Sequence, residues 1–185
     1  MIAASLLLPV VLSAVIVFIA SALIWMVAPH HKNEWHGLPN EEAVRATLNA
    51  QKPAPGLYMI PFAGTTEARK DPAFTRKLQE GPVAFLNLVR SRPVAMGPML
   101  IQSIIFYLVV SYIIAYLASR TLAPGTPYLQ VFRVTGTAGW LAYGFATVSD
   151  SIWFGRPWSS TFKGLVDALI YGCLTAGMFG WLWPK

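Results

Sequence analysis

Long charge-free apolar runs alternate with short polar stretches along this chain, and the alternation predicts four membrane-crossing helices. The clearest pair lies at the end. No residue between Arg133 and Asp150 carries a formal charge, nor does any between Asp167 and Lys185, giving runs of 16 and 17 residues. As helix each is about 24–26 Å long, slightly under the roughly 30 Å hydrocarbon core, so flanking charges reach the interface. The polar, aromatic stretch 149–158 between them reads as the turn of a re-crossing pair, residues 128–149 and 161–183. Upstream, residues 1–31 contain no Lys, Arg, Asp or Glu, and residues 93–119 are equally free of charge. These predict a first span over residues 1–28 and a second over 95–119. The first lacks the basic start of a secretory signal peptide and is expected to stay as a permanent helix.

The intervening stretch, residues 29–94, has a different grammar. Residues 29–92 hold nine of the fourteen basic residues, six of the eight acidic ones and all three histidines. Asn40 followed by Glu41 and Glu42 predicts a capped helix running to about Ala50. Asp71-Pro72 predicts a second, with Gly81 placed to end it. Residues 56–61 and 83–89 are short β-like runs bounded by Gly and Pro that can pair with each other. About sixty residues make a marginal core. The expected fold is therefore an all-α membrane protein of four transmembrane helices, with a small α+β polar insert between helices 1 and 2.

Composition agrees with the membrane class: 55% of residues are hydrophobic and 12% charged, and mean hydropathy is positive. The net charge of +6 does not point to nucleic acid, because the basic residues cluster beside the spans. There they suit topology signals and anionic lipid. Four spans put eleven Lys and Arg on the insert side and three, Arg120, Arg133 and Lys185, on the side of both termini. The insert is then expected in the cytoplasm, with the termini in the periplasm. The single cysteine, Cys173, excludes an intramolecular disulfide.

Helices gain little in lipid from apolar burial and associate through small residues. Ala168, Gly172, Ala176 and Gly180 form such a stripe on the last span. Ala138, Ala142 and Ala146, with Gly139 beside them, form one on the third, and Ser111, Ala115 and Ser119 one on the second. These predict a tightly packed bundle, or alternatively a face that docks another subunit. Trp35, Trp153, Trp158, Trp181 and Trp183 fall near the expected interfaces as anchors.

Candidate chemistry is sparse. His30, His31 and His36 are weak metal candidates: the spacing matches no closed zinc pattern, and adjacent histidines cannot face one ion from a regular helix. A polar collar at the end of the first helix is the plainer expectation, with no metal and no cofactor. Asp167 is expected to meet Lys163 one turn earlier or Arg156, forming with Asp150 an interfacial ion network rather than a proton relay. No nucleophile elbow, phosphate loop, HExxH or CxxC occurs.

The segments Pro29-His30-His31-Lys32-Asn33-Glu34-Trp35 and Leu38-Pro39-Asn40-Glu41, with the runs at 56–61 and 81–85, resemble an uncharacterised family of bacterial four-span inner-membrane proteins. The resemblance implies architecture and a multi-pass place in the inner membrane, and no catalytic residue. The expected function is a non-enzymatic structural or accessory subunit of a larger membrane complex, of respiratory or photosynthetic type by analogy. Its partners would be the bilayer and other membrane subunits. A small solute or ion transporter or channel is the alternative.

Overall fold

The computed structural model describes residues 4–91, 93 and 95–185. Arg92, one of the basic residues counted above, lies outside them. The described chain is mostly helical and divides into two units, residues 1–35 with 95–185 and residues 36–94.

In the first unit a 3-10 turn, Ala4–Leu6, leads into α1 (Leu7–Met26), and a second 3-10 turn follows at Pro29–His31. In the other unit α2 (Glu41–Gln51) starts where the Asn40 side chain accepts the Ala43 N–H at 3.2 Å. The β1 strand (Gly56–Ile60) follows, then α3 (Thr66–Lys70) and α4 (Pro72–Glu80), the latter capped by Asp71 and stopped at Gly81, whose φ is 67°. The β2 strand (Ala84–Leu88) pairs antiparallel with β1, Gly56 opposite Leu88 and Ile60 opposite Ala84. Among the described residues of this unit only Ala63 is a buried hydrophobic, while Leu57, Phe62 and Val89 are 84%, 74% and 78% exposed. Three short helices and a two-stranded sheet enclose almost no core.

The first unit resumes with α5 (Met96–Thr121), α6 (Tyr128–Gly144), α7 (Ala146–Trp153) and α8 (Trp158–Trp181). Among the described residues three helices are long and apolar enough to cross a membrane: Ala4–Met26, Met96–Thr121 and Trp158–Trp181, of 23, 26 and 24 residues. At 1.5 Å per residue each exceeds a 30 Å core. The α6 helix is shorter, 17 residues, ending at Gly144 just before α7 begins.

Glycine explains how α6 lies on α8. A Cβ on Gly144 would stand 2.6 Å from that of Ala168, one on Gly136 3.1 Å from that of Ala176, and one on Gly139 3.0 Å from the Gly172 Cα. Tyr128 covers Gly180 at the far end. The two helices therefore run antiparallel with backbones nearly touching. Trp140 Nε1–H donates to the Leu165 carbonyl across the seam at 3.0 Å, and the Ser151 and Thr161 hydroxyls, 2.5 Å apart, continue it into α7. So the small stripe on α8 packs within the chain. On α6 the touching residues are Gly136, Gly139 and Gly144; of the expected stripe Gly139 lies in the seam, Ala138 is half-buried against the aliphatic cluster, and Ala142 and Ala146 are exposed. Ser111 and Ala115 of α5 are fully buried.

The remaining contacts set α1 against α5 and α8, and α5 against α6. The interior has two layers. One is aliphatic save for Phe179, built on Leu6, Val10, Val110, Ile114, Val131 and Phe179. The other holds Ala14, Val17, Tyr107 and Tyr171, with Tyr143 packed against it.

Candidate functional site

The polar centre of the bundle forms where the end of α1 meets α8. The Val27 and Ala28 N–H groups both close on the Leu23 carbonyl, at 2.9 and 3.2 Å, which ends α1. Ala28 is extended, and Pro29, with its fixed φ, opens the tight 3-10 turn that carries both histidines. The turn lies against α8 at Asp167, nine residues into that helix and so about 13 Å from its start.

Asp167 is 3% exposed and presents one carboxylate oxygen to each imidazole: Oδ1 is 3.0 Å from His30 Nε2, and Oδ2 is 2.6 Å from His31 Nε2. The other nitrogen of His31, Nδ1, lies 2.7 Å from Glu34 Oε1, whose side chain is 7% exposed. Trp25 stacks flat on the His31 ring at 4.0 Å between centroids and 7° between planes, fixing its orientation. Lys163 Nζ stands 3.8 Å from Glu34 Oε1.

Two carboxylates have one partly exposed lysine between them. An imidazole between two carboxylates can donate from both ring nitrogens, or give Nε2 to a cation while Nδ1–H donates to the carboxylate behind it. The second arrangement has a known form: a metal-bound histidine whose other ring N–H donates to a carboxylate, which fixes tautomer and aim.

The ligand atoms of His30, His31 and Asp167 all lie within 4.8 Å of one another. Tetrahedral bonds of 2.0–2.1 Å set ligand atoms about 3.3 Å apart, so seating an ion takes combined side-chain movements of at most about 1.5 Å. Two imidazoles and a carboxylate suit a divalent first-row ion such as zinc or iron(II).

This differs from the arrangement expected on sequence grounds. Asp167 meets the two histidines rather than Lys163 or Arg156, and Lys163 meets Glu34. Among the described residues neither Asp150 nor Arg156 joins an ion pair; the Arg156 N–H donates instead to the Asp150 carbonyl at 3.3 Å. His36 is exposed and outside the cluster. Adjacent histidines do converge, because a 3-10 turn replaces the regular helix and the two oxygens of Asp167 receive one ring each; the ring centroids are 4.1 Å apart. Glu34, the one carboxylate among the three histidines of the segment, sits behind His31 as its i,i+3 spacing on one side of a turn allows, whereas nothing in the sequence announces Trp25 as the partner of that ring. Comparison with family models, curated proteins and solved structures finds no match to the chain.

Proposed function

We propose that this is a four-span protein of the bacterial inner membrane that binds one divalent transition-metal ion through His30, His31 and Asp167, with Glu34 orienting His31. One observation carries the metal reading: the convergence of three ligand atoms around a nearly buried carboxylate, with a second carboxylate behind one imidazole. Three protein ligands leave a fourth position for water or for a group brought by another molecule. The fourth span is α6 with α7. Their contacts with α8 run from Tyr128 beside Gly180 to Ser151 beside Thr161, so a helix that accompanies a spanning helix along this length shares its solvent.

Charge asymmetry favours an insert in the cytoplasm and termini in the periplasm. A periplasm-active reporter fused after Lys185 is expected to be active, and activity of a cytoplasmic reporter there would reverse the orientation.

An accessory-subunit role is favoured separately by the residue 36–94 unit, whose apolar side chains stay exposed. Gentle extraction from the native membrane tests both readings at once. The expected product is a defined larger particle with about one metal ion per chain, the count a single three-ligand site implies. Protein free of stoichiometric metal defeats the metal reading, and protein running alone defeats the subunit reading.

A further inference from the structure

The unit of residues 36–94 holds a cavity of about 490 Å³, lined by its own residues. Arg45, Leu48, Asn49 and Lys52 fall at i, i+3, i+4 and i+7, so one stripe of α2 contributes to the lining. Leu88 at the end of β2 contributes too, as do Arg90 and Ser91 in the chain just after it.

Three of these side chains are cations, and among the described residues no Asp or Glu lines the cavity. Arg45 bonds Glu42 at 2.6 Å, but both partners are well exposed and such a pair holds weakly. Neither Lys52 nor Arg90 joins an ion pair among the described residues. The cavity is therefore electropositive and draws anions. The carbonyl end of α2 opposes this with only about half a negative charge, and it gives no reason for Arg90, which comes from beyond β2. The backbone adds a second observation. Among the described residues Lys52 is the one non-glycine with positive φ, 47°, where a helix usually ends in glycine or asparagine. Strain of that kind gathers at ligand clamps.

The lining also selects what the anion is attached to. Guanidinium and ammonium groups, with the Asn49 amide and the Ser91 hydroxyl, suit phosphate oxygens. Leu48 and Leu88, both half-buried, suit an apolar body beside them. The volume lies within the roughly 300–1,000 Å³ of small-molecule sites. Arg90 precedes Met96, where a helix long enough to span begins, by six residues. A membrane surface is where phosphates on apolar bodies are abundant.

We propose that this cavity binds an anionic phosphate carried on an apolar body, as acidic phospholipids present it. The site does not rest on the metal reading, whose ligands all lie in the other unit.

The test titrates full-length protein in an uncharged detergent with short-chain phosphatidylglycerol, short-chain phosphatidylcholine and glycerol phosphate. Phosphatidylglycerol is expected to bind at least about tenfold more tightly than the other two, and the Lys52→Gln, Arg90→Gln double variant to lose at least about tenfold of that affinity. Both side chains are exposed and unpaired, so their replacement leaves the fold intact. A Lys70→Gln, Lys77→Gln variant removes the same charge from α3 and α4, outside the cavity, and is expected to bind as wild type does. Equal binding of phosphatidylcholine would overturn the demand for net negative charge. Equal binding of glycerol phosphate would overturn the apolar body and make a free phosphate the occupant. No loss in the first double variant, or an equal loss in both, would overturn the site itself.

Discussion

Asp167→Asn protein is expected to bind zinc or iron(II) at least about 100-fold more weakly than wild type, beyond the 10–100-fold that loss of an outer partner costs. Among the described residues the carboxylate is the one group hydrogen-bonded to both imidazoles, at 3.0 and 2.6 Å. An amide keeps the shape but supplies a neutral oxygen to the metal and one N–H where an acceptor stood. Glu34→Gln leaves all three ligands in place and loosens only the aim of His31, so it belongs in the 10–100-fold range. Titration calorimetry on protein stripped of metal checks the order. Wild-type affinity in Asp167→Asn would remove Asp167 from the site, and an equal loss in both variants would point to a general disturbance of the turn.

The second large effect concerns the α6–α8 seam. Gly172→Ala is expected to destabilise the bundle by about 2–3 kcal/mol, at the upper end of overpacking costs. Its new Cβ would lie 2.9 Å from both the Gly136 carbonyl oxygen and the Trp140 backbone nitrogen. Backbone inside a helix cannot step aside alone, so the helices must part. The gain in helix propensity, about 1 kcal/mol, works in the opposite direction and is too small to offset this. Gly180→Ala is the control. Its Cβ would come as close, 2.7 Å, but to the ring of Tyr128, a side chain at the end of α6 that can rotate, so the loss should stay under about 1 kcal/mol. Thermal unfolding in a mild detergent separates the two, and equal Tm values would mean that the seam tolerates separation.

What could be read from the chain follows from the range of the interactions involved. Caps act over three residues, so Asn40 and Asp71 announced α2 and α4. Lipid demands long charge-free helices, so α1, α5 and α8 stood out. Small residues at four-residue spacing showed that α8 has a close partner but not where that partner is small: Ala138, Ala142 and Ala146 have the same spacing as a true seam, yet the closest approaches of α6 to α8 are at Gly136, Gly139 and Gly144. The metal candidate was hidden for a different reason. His30 and Asp167 are 137 residues apart, and they meet only because α1 packs on α8, a choice of neighbour that periodicity within either helix does not encode. A regular-helix argument also misjudged the two histidines, since Pro29 had already ended that geometry.

The glycine seam has a consequence for how the chain enters the bilayer. Of the three long apolar helices α1 is the most apolar and α8 the least, and α6 carries Gln130, Arg133, Thr135 and Thr137 in its 17 residues. Neither member of the α6–α8 pair is a strong insertion signal alone. Together each covers the other's exposed backbone, so α8 is expected to leave its glycine face bare wherever α6 is not yet packed on it.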